Sequence, residues 1–312
     1  MTKHLITHLR YAALATPDLQ QQLDFYTNVW GLKEVDNDSG LHFLAAEGSP
    51  ENYVIRLRQG DKRMDLVSFG AANPADVDEL AGRLIAKGVK LIHEPRALDT
   101  PGGGYGIRFF DGDGRTVEVS ADVATRKHRK IEEREGIPVK LSHFVVNSPS
   151  PEATVKWYID HLDFRLSDSL SLPHMGEMMW FLRCNPQHHS FAVGRAPHVA
   201  WHHASFELRD VDTFMFGTGR VLRAGGEKVW GTGRHHAGDN TYTYFMDRGG
   251  NCVEYTTELE IIQDEDLWHP SVYDLSVPEN IDLWGTSDPF TELVSKKQFN
   301  DPDKSLFMAP PV

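Results

Sequence analysis

Two stretches of this chain, about half its length apart, align without a gap. Phe110-Asp111-Gly112-Asp113-Gly114-Arg115-Thr116-Val117-Glu118-Val119 matches Met246-Asp247-Arg248-Gly249-Gly250-Asn251-Cys252-Val253-Glu254-Tyr255, each reading as strand, tight turn, strand. The likeness extends upstream. Thr7-His8-Leu9-Arg10-Tyr11 matches Ser142-His143-Phe144-Val145-Val146, and the helix through Leu23 to Tyr26 matches the one ending Lys156-Trp157-Tyr158. Self-similarity on this scale marks a duplicated unit, and 312 residues suit two domains of ordinary size.

Local patterns fill in the repeat. Ile6 to Leu14 reads as a strand, and Leu19, Leu23, Phe25, Tyr26 and Val29 fall on one face of a helix that Gly31 stops. Strands are expected at 41–46, 53–58, 64–69, near Leu91, at 105–110 and at 116–120, with a second helix from Pro74 to Lys87 ended by Gly88. Residues 125–138 are charged and poor in apolar side chains, and read as a solvated linker or exposed helix. The expected organisation is therefore an N-terminal domain over 1–124, the linker, a C-terminal domain over 139–258, and an arm over 259–312 lying outside the repeat. That arm is rich in Trp, Pro and acidic residues and reads as a lid over a pocket or a contact between copies.

The second half holds a problem that only a cation solves. From Gly231 the chain reads as a mobile, glycine-punctuated loop carrying His235 and His236; a strand through Tyr242 and Tyr244, a turn at Asp247 to Gly250, and a strand bearing Glu254 follow. A carboxylate pointing inward from such a strand is costly unless neutralised. No basic residue sits close to Glu254 in sequence, but His143 and His203 lie in strand-like runs. Two imidazoles and one carboxylate with open positions suit Fe(II) and oxygen chemistry, and zinc accepts the same set. Strand alternation places Ala204, Phe206 and Leu208 with His202, and Ser205 and Glu207 with His203, which assigns His203 to the polar inner face and leaves His202 structural. The first half offers a comparison. His8 and Glu118 stand opposite His143 and Glu254 in the alignment, but Leu66 replaces His203, so the first half is expected to hold no metal.

Composition removes other classes. A net charge of −13, with no Lys/Arg cluster beyond a short mixed run near residue 126, argues against nucleic acid or an anionic membrane as partner. No apolar run approaches spanning length, and the N-terminus has no signal-peptide pattern, so a cytoplasmic protein is expected. Cys184 and Cys252 support neither a disulfide scaffold nor a thiolate zinc site. Asp111-Gly112-Asp113-Gly114 lacks the further ligands of a calcium loop and reads as a hairpin turn.

His143, Asn185-Pro186-Gln187-His188-His189-Ser190-Phe191-Ala192, His203-Ala204-Ser205-Phe206-Glu207, Gly233-Arg234-His235, Tyr244 and Val253-Glu254-Tyr255 follow one another across residues 5–258. In this order and spacing the chain resembles the type I extradiol ring-cleaving dioxygenases of the vicinal oxygen chelate superfamily. The resemblance implies an α+β fold of tandem βαβββ modules, two per half, curled into open barrels. It implies His143, His203 and Glu254 as ligands of Fe(II), with Mn(II) as the alternative, and a catechol-type substrate cleaved beside its hydroxyl pair by O2. By the same likeness His189 lies over the oxygen site, Tyr244 bonds a substrate hydroxyl, His235 is the loop histidine beside it, and the chain forms a homo-oligomer, dimer or tetramer. Val145 and Ala237 stand where some relatives carry asparagine, and Pro278 to Trp284 lacks the arginine that holds a carboxylated catechol. With Met175, Met179, Trp180 and Phe191 as pocket candidates, a neutral apolar catechol is expected. Two other readings of the same fold are a metal-dependent isomerase or thiol transferase and a metal-free binding module.

Overall fold

The computed structural model describes residues 4–311. Its first eight strands are β1 (Ile6–Thr16), β2 (Lys33–Asp38), β3 (Leu41–Ala45), β4 (Ile55–Gln59), β5 (Arg63–Ala71), β6 (Leu91–Ala97), β7 (Tyr105–Phe110) and β8 (Thr116–Ala121). The next eight are β9 (Lys140–Ser148), β10 (Arg165–Leu172), β11 (Gly176–Arg183), β12 (Phe191–Arg195), β13 (Ala200–Glu207), β14 (Glu227–Arg234), β15 (Thr241–Met246) and β16 (Cys252–Thr257). Helix α1 (Leu19–Asp24) continues as a π-helical segment (Phe25–Trp30), and α2 (Pro74–Ala86), α3 (Pro151–Leu162) and α4 (Val211–Arg223) each follow the first strand of a module. The chain is thus βαβββ four times over. Its sheets run β2-β3-β4-β1-β5-β8-β7-β6 and β14-β15-β16-β13-β9-β12-β11-β10-β17, the last strand (Ser271–Asp274) coming from the C-terminal arm, which also carries α5 (Pro278–Ile281) and α6 (Glu292–Phe299).

Local signals explain the elements. Asn73 caps α2 by accepting from Asp76 N at 3.1 Å with Pro74 in the first turn, and Asp210 and Thr213 form a reciprocal box at the start of α4. Gly31 ends the π-helical segment at φ 90°, the left-handed conformation glycine takes without penalty. Two segments depart from the reading above. β2 is exposed and polar throughout, an edge strand with no alternation to betray it, and Gly231 to Arg234 is the end of β14 and not loop. Residues 125–138 are irregular and mostly exposed, with Ile131 buried.

One apolar core runs through both halves. Trp30 stacks on Tyr255 with ring centroids 3.8 Å apart, and Phe69 meets Phe164 edge-on at 5.3 Å. The polar seams are reciprocal: Tyr26 of the first half donates to Asp247 Oδ2 at 3.1 Å, and Tyr158 of the second donates to Asp111 Oδ2 at 3.0 Å. Each aspartate is the turn residue of the matched hairpins, so each half seals the other's turn. Hydrogen bonds to a buried charge are each worth about 1.5–3 kcal/mol.

Strand register corrects the alignment of His8. In the second half Ser205 of β13 pairs with His143 of β9; in the first half the matching Ser68 pairs with Tyr11, while His8 pairs with Gly70. Identical slips of one residue beside these pairs anchor the comparison. Tyr11, not His8, stands in the place of His143, and His8 instead lies 2.9 Å from Glu51 at the surface. Glu118 is neutralised by protein alone. Arg108, the register partner of Glu118 as Tyr244 is of Glu254, donates to Oε2 at 2.8 Å, and Tyr11 and Ser68 donate to Oε1 at 3.0 and 2.9 Å.

Burial alone would raise the Glu118 carboxyl, but Arg108 first and Arg10 next hold it below the ordinary range. A depressed native pKa contributes stability above the unfolded carboxylate value of about 4.3 and loses it as pH falls through the native value. Arg108→Met is therefore expected to cost about 3 kcal/mol in urea unfolding at pH 7, with more than half restored in Arg108→Met/Glu118→Gln. Glu118→Gln alone should flatten the loss of stability between pH 5 and 3. Equal acid limbs in the two proteins would contradict this account.

Candidate metal centre

Three adjacent strands, β16, β13 and β9, bring the donors together. Ser205 pairs with Glu254 on one side and His143 on the other, and His203, two residues from Ser205, shares its face. His143, His203 and Glu254 thus converge, with one ligand atom from each lying within 4.8 Å of the others, all buried. Nε2 of His143 and Nε2 of His203 stand 2.9 and 3.3 Å from Glu254 Oε2. His203 Nε2 and both Glu254 oxygens have no hydrogen-bond partner, although all are buried. An unpartnered buried carboxylate beside imidazole lone pairs is the arrangement a divalent cation satisfies and a hydrogen-bonded core does not. The residues therefore fit a metal ion.

Electrostatics agree. Burial would raise the Glu254 carboxyl, but His143 and His203 hold it well below the usual range. Burial pushes the His203 imidazole down against the raising influence of Glu254, so near neutral pH it offers a lone pair. Its Nδ1 lies 2.6 Å from Nδ1 of His202, a contact that fixes which nitrogen faces the ligand cluster. Strand parity had sent His202 to the opposite face. It does not lie there: the β13–β9 pairing slips between Trp201 and His203, and both histidines reach the same cavity.

That cavity measures about 390 Å³. His143 and His203 of the ligand cluster line it, and its apolar walls include Val145, Leu170, Met179, Phe181, Ala237 and Ile281. The arm closes one side through Phe290, Ser295, Gln298 and Phe299, residues that no sequence motif marked. Of the four pocket candidates, Met179 lines it; Met175 is exposed in the β10–β11 turn, and Trp180 and Phe191 point into the core. Alternation along β11 explains the sorting, since Met179 and Phe181 face the cavity and Trp180 and Leu182 the core. Arg195 reaches the wall, but its guanidinium lies over the Trp180 ring and pairs with Glu152.

His189, Tyr244 and His235 all line this space. The His189 ring sits 4.2 Å from that of His143, and burial, with His143 and the other nearby histidines, holds His189 well below its ordinary pKa, so it is neutral. His235 Nδ1 donates to the Ile281 carbonyl at 3.3 Å, which leaves Nε2 to accept from the Tyr244 hydroxyl at 2.9 Å. Burial holds His235 down at about 4, and burial with the Glu254 charge raises the Tyr244 phenol well above its usual value.

A family model described as glyoxalase/bleomycin resistance protein/dioxygenase superfamily matches residues 6–119 and 140–255. The chain belongs to this superfamily. Metapyrocatechase 2 of Cupriavidus necator is 27% identical over 308 residues, covering 92% of this chain and 91% of that protein. An iron-dependent extradiol dioxygenase of Rhodococcus jostii is 27% identical, covering 83% and 92%. Among solved structures, a Mn(II)-bound glyoxalase from Novosphingobium aromaticivorans superposes with a TM-score of 0.90 at 37% identity, covering 97% of each chain.

Glu254→Gln is expected to abolish stoichiometric divalent-metal binding, read as metal content after gel filtration. His202→Phe, which leaves the ligands but removes the contact to His203 Nδ1, should weaken binding about 10–100-fold. Full metal content in Glu254→Gln would remove that residue from the site.

Proposed function

We propose that this protein is a non-haem, Fe(II)-dependent extradiol dioxygenase that opens a neutral, apolar catechol beside its two hydroxyls, consuming O2. The observation that carries this reading is a single cavity with two features. His143 and His203, clustered with the unsatisfied Glu254 carboxylate, line it, and the same space holds a neutral histidine and a tyrosine–histidine pair. His143, His203 and Glu254 would hold the metal, and Mn(II) is compatible with the same donors. When bound, such an ion lowers the pKa of a chelating diol and carries electrons between ring and dioxygen.

The protein's own part is acid–base chemistry and exclusion of water. His189, neutral and buried, accepts a proton from a substrate hydroxyl and, once charged, stabilises negative charge building beside it. Tyr244, its hydroxyl hydrogen spent on His235, presents lone pairs to the remaining substrate hydroxyl, whose proton the pair takes up and returns as the ring opens. Val145, Phe181 and Ala237 give the ring an apolar bed and exclude competing water. The arm acts as a lid. Leu267, Val272 and Leu293, large apolar side chains left exposed on it, support a second role in contact between copies, as a dimer or tetramer. Among the described residues no helix is long and apolar enough to cross a membrane, which accords with the proposed cytoplasmic setting.

The Novosphingobium protein's description as a glyoxalase raises the isomerase reading. An isomerase of that kind moves a proton between carbons and gives no part to a neutral histidine and a tyrosine–histidine pair together.

Anaerobic loading with Fe(II), followed by O2 and a panel of alkyl- and aryl-substituted catechols, should give a yellow ring-opened product with one O2 consumed per substrate. His189→Phe should keep its metal and lose about 10²–10⁴-fold in kcat. Absence of O2 uptake with every catechol would overturn the assignment.

A further inference from the structure

His189 faces the cavity but is held from behind. Its Nδ1 lies 2.9 Å from Nδ1 of His188, and His188 Nε2 lies 2.8 Å from Oδ2 of Asp168. All three side chains are buried, and neither His188 nor Asp168 lines the cavity. A carboxylate only accepts, so His188 presents a proton to Asp168 from Nε2, and holding that one proton it keeps a lone pair on Nδ1. Two facing Nδ1 atoms need one donor between them. With the His188 proton committed, the donor is His189, and the nitrogen left on the cavity side, Nε2, carries the lone pair.

We propose that Asp168 and His188 are positioning residues that lock His189 in the one tautomer able to take a proton from substrate. The claim rests on the dioxygenase reading for its kinetic consequence only; the hydrogen-bond chain stands apart from it.

The rest of the neighbourhood is arranged to keep that chain in place. Asp168 lies on β10 and pairs in register with Ser271 of β17, whose backbone N–H donates to Oδ1 at 2.6 Å. Both carboxylate oxygens are therefore engaged, which prevents Asp168 from turning away from His188. Trp268 from the same arm donates to the Ser167 carbonyl at 2.8 Å and sets its ring edge-on to His188 at 5.8 Å. Phe181 packs against both imidazoles, at 5.6 and 4.9 Å. Gly238 passes so close that a Cβ there would stand 3.0 Å from His188 Nδ1. The arm thus supplies part of the cavity wall and also the clamp on the carboxylate at the far end of the chain.

Asp168→Asn tests the idea with little change in shape. The Asn oxygen still accepts from Ser271, but its amide now donates to His188 Nε2, moves the His188 proton to Nδ1, and forces His189 to carry its proton on the cavity side. The expected result is a fall in kcat of about 100-fold or more with KM and metal content near wild type. In the full chain loaded with diamagnetic Zn(II), histidine ring ¹⁵N shifts should move from an Nδ1–H to an Nε2–H pattern for His189. A second pair guards against misfolding: His188→Asn keeps an acceptor where Nδ1 was, His188→Leu does not, and the first should retain about tenfold more kcat than the second. Wild-type kcat in Asp168→Asn and His188→Leu, or an Nε2–H signal for His189 in the unmodified chain, would overturn the proposal. If no catechol is opened by the wild-type enzyme, the dioxygenase reading fails, while the ring shifts still decide the hydrogen-bond chain.

Discussion

A carboxylate carried on a central strand into the middle of a curled sheet has to meet a positive charge, and both halves of this protein are arranged around that requirement. The first half answers with side chains: Glu118 receives Arg108, Tyr11 and Ser68. The second half has Tyr244 and His143 in place of Arg108 and Tyr11, keeps the serine as Ser205, adds His203, and leaves Glu254 without a hydrogen bond. Guanidinium in one barrel and an open ion site in the other are two solutions to one desolvation penalty. The second leaves room beside the charge for another molecule.

That room is useful because of how its histidines are kept uncharged. Burial and mutual repulsion hold His189, His202 and His235 down, so the cavity collects imidazole lone pairs in place of cations. A ring nitrogen of each is engaged by a neighbour: His203 for His202, the Ile281 carbonyl for His235, His188 for His189. Orientation is therefore set by groups behind the rings, and the apolar wall in front has only to admit a flat ring.

How much of this could be read from the chain follows from what each signal depends on. The duplication, the strands flanking the hairpins, and the nearness of His143, His203 and Glu254 rest on residue type and alternation, which sequence displays directly. The misplacement of His8 and the assignment of His202 to the outer face share one cause, a one-residue slip in strand pairing that alternation cannot foresee. Strand β2 escaped notice because an exposed edge carries no apolar pattern. Asp168, Trp268 and the α6 residues escaped because their roles are set by where the arm docks, a matter of long-range pairing with β10. His188 was visible as the neighbour of His189 in the motif, but nothing local showed that it stands behind it.

The exchange of tyrosines between the halves bears on why the first half persists. Tyr158 reaches from the second half into the Asp111 turn, and Tyr26 from the first into the Asp247 turn. Asp247 has no arginine in the place of Arg115, so burial raises its carboxyl and its Oδ2 relies on Tyr26 together with Gln22 and Asn251. A descendant that shed residues 1–124 would take Tyr26 and Gln22 from that aspartate and bare to water the apolar face that the first half covers beside the hairpin carrying Glu254. The silent copy is in this sense a permanent mould for the working one, and neither can be pruned without the other.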